Sequence, residues 1–548
     1  MGANQPRRLS RREFLGGALG LAAAASLSSC RRAGEALGLV DRTIPGELLG
    51  PNKALGHRLR EGGFAPPQSE ERVPVVIVGA GVAGLSAGWK LLRSGMPDFV
   101  VLDLEAAAGG NSAWGENEVS AYPWGAHYLP VPGPDARAVR EILTEFKILL
   151  GVDPRGRAVW DESTLCHAPE ERLYLHGRWQ EGLFPRLGAT PADLAELRKF
   201  LDLMRSFRNR RGRDGKKAFT IPIELSSRDP ELLALDAISM ADWFAREGFS
   251  SARLRWYVEY ACRDDFGATL EQASAWAGIH YFAARGESSS DGLLVWPEGN
   301  GRLTRGLAAA LGPRVRAGAM AYDVAPHGDG VRVDWFDAQA GRTRRIVARR
   351  AIVCVPRFVA RRIAAPLRED RRPFGFAYAP WMTANLTITD PPPGIGADPA
   401  WDNVLYNSDG LGYVDARHQS LSLDRARSVW TYYRPLLGDP DARRREAFSR
   451  SLSDWRELCL ADLERGHPGL RRRVTRLDAW VWGHGMVMPK TGFVWGAERR
   501  EALKATGPIH YAHSDLSGIS LFEEANYRGV AAAEAVLEII GKPFRSSL

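Results

Sequence analysis

The chain has 548 residues, 45% of them hydrophobic, and a formal net charge of +8, which is material for two packed cores. Residues 1–30 hold four arginines and one glutamate and so supply +3, leaving +5 on the rest. The basic run Arg208 to Lys217 has no interleaved aromatics, which excludes nucleic acid as a partner and leaves a solvated loop, with anionic lipid headgroups the better match. The five cysteines show no metal-type spacing, so no metal site is expected, and neither is a nucleophile elbow or a Walker loop.

The first 30 residues read as an address label. Ser10-Arg11-Arg12-Glu13-Phe14-Leu15 resembles the twin-arginine export motif, and the 13 residues Leu15 to Leu27 form an apolar run too short for a bilayer span of about 20 residues. Leu27-Ser28-Ser29-Cys30 resembles a lipobox, which makes Cys30 a lipidation site; ordinary cleavage nearby is the alternative. The protein is therefore expected in the periplasm or at the cell surface, lipid-anchored to a membrane, with residues 31–70 as a polar linker.

A buried-strand pattern, Val73 to Val78, then runs into Gly79-Ala80-Gly81-Val82-Ala83-Gly84, and a helical stretch from Leu85 to Arg93 follows. Strand, glycines and helix in this order predict a dinucleotide site. The first glycine makes the turn, the second admits a pyrophosphate, the third lets helix and strand pack, and the helix N-terminus faces the phosphates. The next strand, Phe99 to Leu102, ends at Asp103 beside Leu104, where an acid can take the ribose hydroxyls. A second glycine pair, Gly109 and Gly110, comes before Asn111, and Tyr122 to Tyr128 follows with Gly125, Ala126 and His127.

On these residues the chain resembles the flavin-dependent amine oxidase superfamily, which includes monoamine, polyamine and L-amino-acid oxidases and, more distantly, phytoene-type desaturases. The resemblance implies FAD, with Gly109, Gly110 and Asn111 against its pyrophosphate and Gly125, Ala126 and His127 near the flavin ring. Asn111 stands where the family usually has Arg. Trp296 to Leu303 resembles the entry to a second FAD-binding segment. Val315 to Val324, carrying Ala321, fits its adenine-covering strand, and Val331 to Phe336 and Ala351 to Pro356 follow in order. Ile509 to Asp515 resembles the family's closing strand, with Asp515 as its acid. Glu524 to Gly529, including Ala525 and Asn526, opens a last helix toward the pyrimidine edge.

The implied architecture is α/β: a Rossmann-type FAD domain built from segments 71–145, 296–365 and 481–548, and a helix-and-sheet substrate domain from 146–295 and 366–480. The first substrate segment reads mainly helical, with Thr190 capping a helix from Pro191 and Ser239 capping Met240 to Glu247. Further helices are predicted over Leu254 to Cys262 and Leu270 to Phe282. The second segment carries strand-like runs at Thr383 to Thr389, Gly412 to Val414 and Val429 to Tyr433.

For the substrate cavity the resemblance nominates Trp480, Trp482, His484 and Lys490; packing of the tryptophans in a core is the alternative. His127 and Tyr128, and a polar group of Tyr406, Tyr413, Asp415 and His418, are further candidates. Two departures bear on chemistry. Met486 stands near the position of the cysteine that binds FAD covalently in monoamine oxidases, so non-covalent FAD is expected. Residues 357–388 contain no lysine, where the family often has one bonded through water to the flavin, and arginine cannot take over proton shuttling. The expected reaction takes a hydride from a C–H next to nitrogen to give an imine that hydrolyses, with oxygen or a membrane quinone reoxidising the flavin. A desaturase or isomerase on a lipophilic substrate, and a non-catalytic FAD-containing scaffold for a membrane partner, are the alternatives.

Overall fold

The computed structural model describes residues 44–285, 292–370, 372 and 374–548. The export motif and Cys30 lie outside them. Contacts divide the chain into Met1–Pro45 and Gly46–Leu548; the second unit is described below.

Val75 to Val78 are buried on both faces, as an apolar run in a mainly parallel sheet must be. They end the Glu70–Val78 strand within a seven-stranded sheet. In order it runs Val315–Arg316, Phe99–Leu102, Glu70–Val78, Arg342–Val353, Gly330–Asp337 and Ala319–His327. The long Arg342–Val353 strand divides its pairing. Its first half takes the antiparallel hairpin of Gly330–Asp337, and its end takes Ile509–Tyr511 in parallel. Three stretches distant in sequence thus build one sheet. The expected strand Val315 to Val324 is two strands, because Gly318 turns the chain in the left-handed region (φ +67) between them.

The Val82–Arg93 helix packs across this sheet and against the C-terminal Phe522–Ile539 helix. The crossing is close because of one residue: a Cβ on Gly529 would stand 2.1 Å from the carbonyl oxygen of Ala83.

A second, eight-stranded sheet runs Leu48–Leu49, Val474–Val487, Tyr378–Thr389, Arg427–Pro435, Gly412–Asp415, Asp402–Leu405, Glu171–Leu175 and Arg178–Glu181. The Val474–Val487 strand is a single element of this sheet, so it runs across the boundary expected at residue 480. The last two strands add a hairpin to residues 146–295, which are otherwise mainly helical. Its central residues, His176 (φ 50) and Gly177 (φ 80), are both left-handed, the turn that matches strand twist. Its strands Glu171–Leu175 and Arg178–Glu181 contain no β-branched residue and only Tyr174 and Trp179 as strand formers, so the propensity signal was weak.

Against one face of this sheet lie the Pro191–Asn209, Met240–Arg246, Ala252–Phe266 and Ala275–Ala283 helices, sharing one large core with it. Thr190 and Ser239 form reciprocal capping boxes with Asp193 and Asp242, worth about 1 kcal/mol each. The last helix begins five residues later than its periodicity suggests, because Ser274 caps it by accepting from the Ala277 N–H. No described helix is long and apolar enough to cross a membrane.

Candidate active site

The glycine loop is built so that side chains cannot enter it. Gly79 has φ +102, and a Cβ there would lie 2.6 Å from the Cys354 carbonyl oxygen. A Cβ on Gly84 would lie 1.8 Å from the carbonyl oxygen of Gly79. Gly81 begins the Val82–Arg93 helix without any side-chain cap, so the first-turn N–H groups and the positive end of the dipole are left for an anion. Ala80 and Ala83 are buried behind the loop. Across from Gly81 stand Gly109, bridged to it, and Gly110, with the exposed Asn111 next.

Asp103 fastens this turn by accepting from the N–H groups of Ala80 and Glu105. Burial pushes its carboxyl up against those two bonds. Each oxygen keeps a free lone pair, so hydroxyl donors are what the acid lacks. Leu104 follows, half-buried. Ala321 lies in the Ala319–His327 strand, whose first N–H donates to the Asp103 carbonyl. The site's glycines, uncapped helix and acid fit an adenine dinucleotide.

The C-terminal expectations are more enclosed. Asp515 is fully buried and accepts from the Arg357 N–H (2.7 Å) and the Tyr378 hydroxyl (2.6 Å), with His513 Nδ1 3.1 Å from its other oxygen. Burial raises its carboxyl, but His513 and these donors outweigh that and hold it below the usual range. Ala525 is buried, and Asn526 turns its side chain to the Ser86 hydroxyl (3.0 Å). Gly84 to Gly88 does carry the G-x-S-x-G spacing that was not expected. Ser86, however, is fully buried inside a helix, which is no nucleophile elbow.

From the glycine loops, one short segment leads to a second feature. Asn111 accepts from the Ala126 N–H (2.9 Å) and donates through its side chain to the Gly485 carbonyl. Gly125 allows this approach, since a Cβ there would meet the Asn111 oxygen at 2.2 Å. The Gly125 carbonyl accepts from the Tyr433 hydroxyl (2.9 Å), and Asn300 holds Ala126 and Tyr128 by their carbonyls. His127 then stacks on Tyr433 at 4.3 Å, with Trp401 and Tyr128 at 5.5 and 5.0 Å.

Beyond these rings stand carboxylates. The Tyr128 hydroxyl reaches toward Asp264 (3.4 Å) and that of Tyr260 toward Asp402 (3.3 Å). Asp265 pairs with Arg285 at 2.6 Å, whose guanidinium lies over Tyr281 at 4.1 Å. His127, Tyr128, Asp264, Tyr281 and Asp402 sit deep in the protein, yet each keeps accessible surface, as residues lining a cleft do. Burial, with the neighbouring acids, raises Asp264 and Asp402. Burial also brings His127 down to about 3, so it is neutral. Among the described residues Arg285 alone faces these acids as a cation, and it is already paired with Asp265. The cleft is short of positive charge.

Sequence reasoning missed Asp264, Asp402, Tyr260 and Tyr433. Among its own nominees, Trp480 and Trp482 come together, their rings 5.2 Å apart, and Trp480 stacks on Trp124 at 5.3 Å. The Trp482 indole N–H donates to the Trp124 carbonyl (2.8 Å), one residue from Gly125. His484 stands apart from that pair, stacked on Phe358 at 4.1 Å, and burial lowers it to about 3. Lys490 is held by its backbone in a bridge to Ala273. The polar group of residues 406–418 is mostly structural: Tyr413 joins Arg172 and His467, and Asp415 holds Ser428. Among the described residues no cluster of histidine, cysteine and carboxylate side chains could hold a metal ion.

A Rossmann-type sheet with a dinucleotide cradle, and a deep aromatic cleft joined to it by one segment, define a flavoprotein oxidoreductase. Residues 82–376, over half the chain, match the model of the flavin containing amine oxidoreductases, and the chain belongs to that family. It is an FAD-dependent oxidoreductase of the amine-oxidase type, with FAD as its cofactor.

Solved structures similar to it include putrescine oxidase bound to putrescine (17% identity, TM-score 0.62), covering 86% of this chain and 100% of that one. Cyclohexylamine oxidase from Brevibacterium oxydans IH-35A has 15% identity and a TM-score of 0.61, covering 86% and 99%. A CLA-producing fatty acid isomerase from P. acnes has 16% identity and a TM-score of 0.60, covering 85% and 98%. At these identities the likeness establishes the fold. No curated protein matches the sequence.

Proposed function

We propose that the protein oxidises a cationic amine bound in the cleft between the His127–Tyr433 stack and the carboxylates of Asp264 and Asp402. The observation that carries this is the cleft's excess of buried carboxylates over cations, walled by aromatic faces, which attract an ammonium group. When bound, FAD supplies a two-electron acceptor for a hydride leaving the C–H beside the amine nitrogen. Gly79 to Gly84, Asp103, Leu104, Gly109 to Asn111 and Ala321 would hold it on the nucleotide side, and Gly125 to His127 on the ring side. Asp515, Ala525 and Asn526 would fix the closing segments around it.

The chain's own residues bind and orient. The rings of Tyr128, Trp401 and Tyr433 exclude water, and Asp264 and Asp402 hold the ammonium. Neutral His127 adds no repulsion. A non-covalent cofactor belongs to the same reading, since Met486 stands near the position where monoamine oxidases carry the cysteine that binds FAD. The lipophilic and scaffold alternatives call for an uncharged or blocked cleft, and the acids speak against both. Export by the twin-arginine route, anchoring at Cys30, and oxygen or a membrane quinone as acceptor belong to the same reading, supported by the motifs in residues 10–30.

The test is pH dependence. The cleft acids sit above their ordinary values in the folded protein, so folding favours their neutral forms. Their stabilising contribution is full below the ordinary carboxylate range and is lost as pH rises through the raised folded values. Without amine, the holoenzyme should therefore lose thermal stability as pH rises from about 4, where these acids ionise in the unfolded chain, toward those raised values. The added Tm given by an amine, and kcat/KM, should rise as the folded carboxylates ionise. A fatty acid that raises Tm where no amine does would refute the amine reading.

A further inference from the structure

The loop of residues 416–426, between the Gly412–Asp415 and Arg427–Pro435 strands, carries Leu421 and Leu423 at 83% and 98% exposure. A single exposed leucine needs no explanation. Two almost bare leucines two residues apart on a projecting tip do. The loop's neighbours add to them. Asp390, whose N–H donates to the Ala426 carbonyl, opens the segment bearing Ile395 (75% exposed). Residues 163–167, clamped by the Gln419 side chain, follow the hairpin that exposes Leu150 and Val152.

The tip's polar groups are satisfied from within. Ser420 accepts from the Ser422 N–H, Ser422 from Asp424 and Asp424 from Ala426. Arg417 and Arg425 reach back to the carbonyls of Arg427 and Arg417, so their charges ring the base of the tip. Arg425 has no carboxylate partner among the described residues, and Arg427 only a distant one, Glu118 at 3.7 Å. Apolar points, backbone groups tied up internally and a collar of arginines match an interface that is hydrocarbon inside and anionic at its surface.

We propose that this loop docks the protein on an anionic lipid bilayer, with Leu421 and Leu423 entering the acyl region and Arg417, Arg425 and Arg427 at the headgroups. The inference depends neither on the amine reading nor on lipidation of Cys30.

The test reads the loop itself, using full-chain holoenzyme on vesicles that contain an acyl-chain diazirine lipid, with adducts mapped by peptide mass spectrometry. On phosphatidylglycerol vesicles, adducts should fall on residues 416–426, and several-fold fewer on phosphatidylcholine. Leu421→Ser with Leu423→Ser should lower that loop's adduct yield about tenfold while flavin content and Tm stay unchanged. Adducts confined to other segments, an unchanged yield in the double variant, or protection of the loop by a second copy of the chain without lipid adducts would each overturn the proposal.

Discussion

Asp264→Asn lowers kcat/KM for a cationic amine by about a hundredfold, the loss expected when one partner of a desolvated charge pair is removed. The same change leaves flavin content intact, because Asp264 touches none of the glycine-loop residues. It also raises thermal stability at alkaline pH, where the wild-type cleft must hold an ionised carboxylate beside Asp265 and near Asp402 with Arg285 already engaged. Opposite signs on activity and stability are what separate a binding acid from a structural one. A structural acid would lose both. Steady-state kinetics and thermal melts at about pH 8, well above the ordinary carboxylate range, measure the two signs on one preparation. An unchanged kcat/KM would remove Asp264 from the amine site.

Gly84→Ala is expected to yield a protein that purifies without FAD and is less stable by about 3 kcal/mol. The added Cβ would stand 1.8 Å from the Gly79 carbonyl oxygen, and the next contact behind it is the Cys354 side chain at 3.4 Å. Relief therefore requires the whole turn to move, and with it the Ala80 N–H that Asp103 accepts. Gly133→Ala serves as the control, since a Cβ there meets nothing within 4 Å and its φ is ordinary. Flavin absorbance per protein, together with Tm, should separate the two variants. Full flavin loading of Gly84→Ala would mean that the turn is not the cofactor's cradle.

The nucleotide half of the site was legible in the sequence because its chemistry is local. Strand, Gly79 to Gly84, helix and Asp103 fall within about thirty-five residues of one another. Gly79 and Gly84 are then required by backbone contacts that the order of elements already implies. The cleft was not legible for the opposite reason. His127, Asp264, Asp402 and Tyr433 come from four elements spread over the chain, and each has a bland local setting. Asp264 lies in the charged run Arg263 to Asp265 near the end of a helix, which reads as an ordinary solvated helix end, and Asp402 opens a four-residue strand. Trp480 and Trp482 could be picked out as aromatic, but their partner Trp124 could not. His484 was grouped with them by sequence proximity, and tertiary packing put it on Phe358 instead. The same limit hid the hairpin at residues 171–181, whose signals were only its turn residues, His176 and Gly177, and the single aromatics Tyr174 and Trp179.

Anaerobic mixing of the holoenzyme with amines, and separately with fatty acids, tests the central claim most directly, because it reads the flavin without needing to know the electron acceptor. Bleaching of the visible flavin band by an amine, lost or slowed about a hundredfold in Asp264→Asn, is the predicted result. A flavin that dithionite reduces but no amine bleaches, or one that responds only to a fatty acid, would contradict it.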